Sequence, residues 1–169
     1  MIYTCTIETP LGAMTAAVQD DALTGLWFMG QKYYPTCAEK WICQEKHPVF
    51  RAVQLYLSRY FSGEACAHNF PLAPQGSPFQ KAVWEALTRI PYGETVTYGA
   101  IAKEIAGCMG CATMSAQAVG GAVGHNPISI VIPCHRVLGA NGKLTGYAGG
   151  VEKKEALLRL EAGSIGVRL

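Results

Sequence analysis

A proline-rich break followed by a clear helix start divides this chain into two halves with different hydrophobic patterns. Residues 71–76 read PLAPQG, a composition typical of a linker. Directly after them, Ser77, Pro78 and Gln80 supply a helix cap, a first-turn proline and a capping-box glutamine. We expect this helix to end at about residue 89. The break therefore predicts two domains, residues 1–76 and residues 77–169.

The first half has the pattern of a small sheet covered by one helix. Segments rich in β-branched and aromatic residues alternate with turn sequences, and they predict strands over residues 2–7, 13–18 and 23–29. Between residues 47 and 61 the apolar residues recur at helical spacing instead. Residues 1 to about 62 are therefore expected to form an α/β unit.

The second half is predicted to be mostly helical. Beyond the helix that starts after Ser77, the patterns favour helices over residues 98–106, 115–124 and 152–161. A short apolar run over residues 128–132 predicts a buried strand.

Composition excludes several classes of protein. Of the 169 residues, 50% are hydrophobic and 15% charged, which excludes a disordered chain, and no apolar run is long enough to span a membrane. The first residues lack a basic start and an apolar signal core, so we expect a cytoplasmic protein. Seven cysteines, an odd number without a secretory segment, argue against a disulfide framework. The net charge of +2 is too small to define a partner.

Cys134 has the neighbours of a reactive thiol. It follows the predicted buried strand and Pro133, and it precedes His135 and Arg136. A histidine and an arginine beside a cysteine are expected to lower the pKa of the thiol. Taken alone, this pattern is also compatible with a buried structural cysteine. A hydrolase or acyltransferase that uses a Cys-His pair and turns over repeatedly is a further alternative.

Three segments of the second half together resemble the O6-alkylguanine-DNA alkyltransferases. They are SAQAVGGAVGHNP over residues 115–127, PCHRV over residues 133–137 and TGYAGG over residues 145–150. The resemblance covers residues 77 to about 162 densely, whereas the first half matches mainly in layout. It implies an N-terminal ribonuclease H-like α/β subdomain followed by a mostly helical, winged-helix-like DNA-binding domain.

The resemblance also implies a single irreversible reaction, in which a flipped O6-alkylguanine gives its alkyl group to Cys134. In this register His135 is the base that acts on the thiol through water, and Glu161 orients that histidine. Tyr98 supplies the hydroxyl that donates a hydrogen bond or proton to the departing guanine. Asn126 is a buried residue that connects the predicted helix over residues 115–124 to the predicted strand before Cys134.

The predicted DNA partner is an O6-alkylguanine duplex, bound through its minor groove without sequence specificity by a monomer. The predicted helices over residues 98–106 and 115–124 resemble a helix-turn-helix. The second of them consists mainly of small residues, which allow close approach to a groove. The expected substrate and DNA contacts are Ser115, Gln117, Ala118, Gly121, Arg136, Val137, Tyr147, Ala148 and Gly149. Of these, Tyr147 is a pocket wall, and the backbone from Ala148 onward closes over the base.

The sequence departs from the family pattern in three respects. Gln117 stands where most members carry the arginine that fills the place of the flipped base. The turn over residues 107–113 is long and contains Cys108 and Cys111, which we interpret as an exposed-loop coincidence rather than a metal or redox site. The cysteines and histidines of the first half are not in the register of the structural zinc site that some members have, so no metal and no cofactor is predicted.

The alternative function is that of a non-catalytic lesion-binding relative, but such relatives replace the cysteine found here as Cys134.

Overall fold

The computed structural model describes residues 1–36 and 40–163, and its first half is built on an antiparallel meander. Strands β1 (Ile2–Thr9), β2 (Gly12–Gln19) and β3 (Ala22–Phe28) pair in sequence order, and a short β4 (Ile42–Cys43) runs parallel to β1. The sheet order is therefore β3-β2-β1-β4. Asp20 and Asp21 form the β2–β3 turn with φ of 52° and 62°, a left-handed conformation that aspartate tolerates. The three predicted strands are confirmed.

Helix α1 (Pro48–Phe61) packs its apolar stripe on this sheet. His47 caps its first turn, with Nδ1 accepting from the Val49 amide at 3.1 Å. Val53 and Leu57 point into the core together with Phe50. The edge of β3 is also covered, because the Ala73 amide donates to the Leu23 carbonyl at 2.8 Å. The predicted linker therefore docks along β3 before the second half begins.

Helix α2 (Pro78–Thr88) begins with the predicted capping box. Ser77 Oγ accepts from the Gln80 amide at 3.1 Å, and Gln80 Oε1 accepts from the Ser77 amide at 3.0 Å. On its buried face Trp84 donates from Nε1 to the Ala122 carbonyl at 2.8 Å, which joins α2 to a later helix. The sequence signal for this helix is confirmed in position and in mechanism.

Two short helices follow, α3 (Tyr98–Cys108) and α4 (Ala116–Gly124). Helix α3 ends two residues later than predicted because Gly110, with φ +69°, lets the Cys111 amide bond back to the Ala106 carbonyl at 2.9 Å. Ser115 caps α4 through Oγ, which accepts from the amides of Gln117 and Ala118.

The predicted strand over residues 128–132 is wrong. This segment is a buried turn that makes one bridge, between Leu26 and Ile128. Ile130 adopts φ +70°, which no strand residue has. Short strands β5 (Val96–Thr97) and β6 (Val137–Leu138) form the only sheet in the described part of the second half, and α5 (Val151–Glu161) completes it. Among residues 1–36 and 40–163 no helix has the length and apolar composition needed to cross a membrane.

Candidate active site

Cys134 lies at the floor of a cavity where the two halves of the chain meet. It begins a 3₁₀ turn, Cys134–Arg136, directly after the buried turn over residues 128–132. Cys134 is 5% exposed and lines a cavity of about 390 Å³. The other lining residues come from α3, α4, the segment after β6 and the segment after β3, and they are Lys32, Tyr33, Tyr98, Gly120, Gly121, Val123, Gly124, Thr145, Gly146, Tyr147 and Ala148.

Asn126 fixes the turn that places Cys134. Its amide nitrogen donates to the carbonyls of Ile128 at 3.3 Å and Ile132 at 2.8 Å, and its amide oxygen accepts from the Ile128 amide at 3.0 Å. These three bonds satisfy backbone groups that a strand ladder would otherwise pair. They also hold Ile130 in its left-handed conformation, which is costly for a β-branched residue. Asn126 therefore connects the end of α4 to the turn before the thiol.

Glu161 is the centre of a buried polar cluster behind Cys134. Its carboxylate accepts from His135 Nε2 at 2.5 Å, from Arg136 Nε at 2.7 Å and from the Tyr60 hydroxyl at 2.6 Å. The Gly93 amide adds a bond at 3.1 Å. Burial alone would raise the pKa of Glu161, but the hydrogen bonds and charges of its neighbours lower it to about 2. Glu161 is therefore an ionised acceptor at neutral pH.

His135 is placed as a neutral base. Burial lowers its pKa, and its Nε2–H donates to the Glu161 carboxylate, which leaves Nδ1 with its lone pair. Nδ1 is buried and has no hydrogen-bond partner among the described residues. This nitrogen can accept a proton, whereas the other one is committed to Glu161. A base held by a carboxylate in this way has the arrangement used to activate nucleophiles.

The expected lowering of the Cys134 pKa is wrong for the resting protein. Burial raises the pKa of this thiol, and the side chains of Asn126, Lys154 and Tyr147 oppose that effect only in part. Arg136, the cation that the sequence placed next to the thiol, is instead paired with Glu161. The thiol is therefore protonated at rest, and it needs a base to become a nucleophile.

Two tyrosines line the cavity above the thiol. Tyr98, at the start of α3, is half-buried and its hydroxyl accepts from Thr145 Oγ1 at 3.4 Å. The Tyr147 hydroxyl is buried, and no residue of the described chain bonds to it. Burial and the nearby Cys134 raise the pKa of Tyr147 well above its ordinary value, so it is a hydrogen-bond donor. The cavity thus presents one thiol and two phenols to an entering molecule.

The predicted DNA-contacting residues of α4 lie outside this cavity or at its rim. Ser115, Gln117, Ala118 and Gly121 are exposed, and Gly121 also lines the cavity. Gln117 lines a separate shallow groove together with Tyr98. Ala148 lines the cavity itself, and the neighbouring Gly149 is half-buried. Five of the fourteen predicted site residues therefore line the cavity, namely Cys134, Tyr98, Gly121, Tyr147 and Ala148.

The chain resembles known proteins over nearly its whole length. A family model described as the 6-O-methylguanine DNA methyltransferase DNA binding domain matches residues 78–163, and the ribonuclease-like domain of the same family matches residues 1–74. The chain belongs to this methyltransferase family. A relative from Mycolicibacterium paratuberculosis named methylated-DNA–protein-cysteine methyltransferase is 47% identical over 95% of this chain and 93% of its own length. A relative of the same name from Haemophilus influenzae is 44% identical over 95% of this chain and 86% of its own length.

Solved structures of this family have the same fold. The crystal structure of Mycobacterium tuberculosis OGT in complex with DNA matches with a TM-score of 0.83 and 44% identity, over 95% of this chain and 93% of that one. The expected two-part architecture, a sheet-based first half and a helical second half, is confirmed by the family match and the structure together.

Arg136 and Val137, which the family resemblance places among the substrate and DNA contacts, have buried side chains. Arg136 is 8% exposed, and its guanidinium is committed to Glu161 and, through Nη1, to the Ile90 carbonyl at 2.7 Å. Val137 has no exposed surface and pairs with Val96 in the small sheet. The side chains of Arg136 and Val137 are therefore engaged within the protein, and the predicted contact of these two residues with substrate or DNA stays a prediction. The Arg136 guanidinium neutralises the charge of Glu161.

Three groups of residues in this methyltransferase site were not predicted from the sequence. Tyr60 of α1 reaches Glu161 from the first half, and nothing in its helical pattern distinguishes it from a core aromatic. Lys32 and Tyr33 lie in the cavity wall, far from Cys134 along the chain. Lys154 is fully buried, with Nζ 5.7 Å from the centroid of the Tyr98 ring. The spacing of Lys154, Leu157 and Glu161 places all three on the buried face of α5, so a charged pair on an apolar stripe was the available signal.

Proposed function

We propose that this protein repairs DNA by transferring the alkyl group of O6-alkylguanine to Cys134, irreversibly and once per molecule. The observation that carries the proposal is a buried thiol at the floor of a cavity, backed by a histidine and a buried carboxylate. Membership of a family whose relatives are named methylated-DNA–protein-cysteine methyltransferase supports the same reaction.

The proposed reaction begins when the thiol proton moves to Nδ1 of His135 through a bridging water, while Glu161 holds Nε2 and balances the positive charge. The Cys134 thiolate attacks the alkyl carbon, so the S–C bond forms as the C–O6 bond breaks. The electron pair of that bond passes into the purine, which takes a proton from the Tyr98 hydroxyl. The Tyr98 phenolate then regains a proton from solvent, and His135 releases the thiol proton to solvent, so both side chains return to their neutral forms. Guanine is restored, and the alkyl group stays on Cys134 as a thioether.

DNA is proposed to bind on the surface of α4, with α3 and α4 acting as a helix-turn-helix in the minor groove. This surface exposes Ser115, Ala118 and Gly121 but no lysine or arginine. It therefore suits binding in which the protein backbone contacts the DNA without sequence preference. The alkylated base is flipped out of the stack to reach Cys134, which is buried and out of reach of a base within a duplex. Gln117 is proposed to fill the space that the base leaves.

The proposal includes a division into domains at residues 76 and 77 and action as a monomer. All the side chains of the proposed chemistry come from one chain, which supports a monomer. The need to keep Cys134 as a free thiol supports the reducing cytoplasm as the location of the protein.

The alternative function is a lesion-binding protein that does no chemistry. The presence of both Cys134 and its base argues against it.

Intact-mass measurement after incubation with an O6-methylguanine duplex tests the proposal. We expect a gain of one methyl group on the Cys134 peptide and a product yield of one guanine per protein molecule. Cys134→Ser should abolish the transfer while DNA binding survives, whereas the control Cys108→Ser should transfer fully because that thiol is exposed at the C-terminal end of α3. Methyl on Cys108 or Cys111, or several turnovers per protein, would refute the assignment and favour a Cys-His hydrolase.

A further inference from the structure

The cavity of Cys134 has one wall that comes from the first half of the chain. Lys32 and Tyr33, in the segment that follows β3, line it together with the thiol. The remaining lining residues belong to the second half, and most of them are small: Gly120, Gly121, Gly124, Gly146 and Ala148. Tyr98 donates a proton in the proposed reaction, and the family resemblance assigns Tyr147 to the pocket wall. Lys32 and Tyr33 are the large lining side chains that have neither role.

This wall is held in place from both sides. The Lys32 amide donates to the Ala148 carbonyl at 3.0 Å, which joins the wall to the segment that closes the cavity. On the other side, Gln31 Oε1 accepts from the Phe28 amide at 2.9 Å and ties the wall to the end of β3. The next residue, Tyr34, forms a hydroxyl bond of 2.8 Å with Thr15 of the sheet. The backbone around Tyr33 therefore cannot move away without breaking contacts to both halves.

The ring of Tyr33 is also fixed. It stacks on His125 at the end of α4, with ring centroids 3.8 Å apart and an interplanar angle of 25°. The ammonium of Lys32 lies 5.1 Å from the centroid of the same ring. Tyr33 has φ +62°, an uncommon conformation for a bulky residue, and these contacts keep it there. The His125 ring is oriented in turn, because its Nδ1–H donates to the Gly121 carbonyl at 2.7 Å.

We infer that Tyr33 sets the upper size of the alkyl group that Cys134 can accept. The inference rests on the proposed alkyl transfer. A fixed ring among lining residues that are mostly small limits the space for a bulky substituent, whereas a methyl group needs much less of that space. One extra or missing methylene in an apolar pocket changes the discrimination between two substrates by a factor of about 10 to 200. Tyr33 is thus a specificity-determining residue contributed by the first half to a reaction of the second.

The test compares two lesions in one duplex sequence, O6-benzylguanine and O6-methylguanine, and measures single-turnover transfer to Cys134 for each. The ratio of the benzyl rate to the methyl rate cancels any change in DNA binding that the two duplexes share. Because Tyr33 is 48% exposed and the wall is partly open, we expect Tyr33→Ala to raise this ratio about fivefold to tenfold. Tyr33→Phe keeps the ring and should keep the ratio.

Met29→Ala is the matched control. Met29 lies in the same segment, is exposed and does not line the cavity, so its loss should leave the ratio unchanged. An unchanged or lower ratio in Tyr33→Ala, or equal slowing with both lesions, would overturn the inference. Failure of the unsubstituted protein to accept either alkyl group would instead refute the proposed function, so the two failures are distinguishable.

Discussion

Replacing Glu161 by glutamine removes the charge at the centre of the buried cluster while keeping its shape. In the native protein the carboxylate accepts hydrogen bonds from His135, Arg136 and Tyr60. A neutral amide leaves the Arg136 cation buried without a counter-charge and offers only one acceptor oxygen. Removing one partner of a buried ion pair typically costs about 3–5 kcal/mol. We expect Glu161→Gln to lower the free energy of unfolding by that amount at pH 7.5.

The pH dependence of this loss follows from the pKa of Glu161. Folding lowers that pKa from 4.5 to about 2, which corresponds to about 3 kcal/mol because each tenfold change in acidity is worth about 1.4 kcal/mol. A carboxyl whose folded pKa is depressed stabilises the protein fully above the pKa of the unfolded chain. That stabilisation is lost as the pH falls from 4.5 toward 2. The difference between the native protein and Glu161→Gln should therefore narrow by about 1.4 kcal/mol per pH unit below 4.5.

Urea unfolding followed by circular dichroism at several pH values between 7.5 and 3.5 measures this difference. The control is Glu155→Gln on the same helix, where the lost partner is an exposed ion pair with Arg159 at 2.7 Å. This control should change stability by less than about 1 kcal/mol at all pH values. A Glu161→Gln difference that stays constant down to pH 3.5, or one no larger than that of Glu155→Gln, would refute a buried ionised carboxylate.

Two further predictions concern residues around the cavity. Lys154→Met keeps the apolar stem of this buried side chain but removes the charge that partly offsets the burial of Cys134, so alkylation of Cys134 by iodoacetamide should need a higher pH. Stability in urea should not fall, and a pH profile identical to that of the native protein would contradict this role. Gln117→Ala should slow repair of duplex DNA severalfold while leaving transfer from free O6-benzylguanine unchanged, because the free base needs no flipping. Gln117→Arg should restore or exceed the native duplex rate, and equal losses on both substrates would show that Gln117 is not the flipping residue.

Helices and the meander could be predicted because their signals are local. The capping box at Ser77 and the aspartate turn at Asp20 each act within a few residues, and the structure reproduces both. The strand expected over residues 128–132 failed for a physical reason. A short apolar run indicates burial, but not which groups satisfy its backbone. Here the amide of Asn126 supplies the hydrogen bonds that a neighbouring strand would have supplied.

The site could be predicted only where chemistry follows from residue type and order. The family register predicted that Glu161 would meet His135, and the two side chains are hydrogen-bonded although 26 residues separate them along the chain; their roles toward Cys134 stay predictions. The direction of the Arg136 side chain was not predictable, since a cation next to a nucleophile can face either the solvent or a buried carboxylate. Tyr60 and Tyr33 reach the site through packing between the halves, and no local pattern records that contact.

A thiol that stays protonated at rest suits a protein that can use it only once. Exposed cysteines such as Cys43 and Cys108 meet any electrophile in solution, whereas Cys134 is 5% exposed and burial raises its pKa. In the proposed reaction, ionisation then depends on proton transfer to His135, whose basic nitrogen has no hydrogen-bond partner in the described chain. An alkyl group held in the cavity is next to the thiol when that transfer occurs, and a small electrophile in solution is not. The raised pKa therefore protects the acceptor until a substrate fills the cavity, which a permanently ionised thiol could not do.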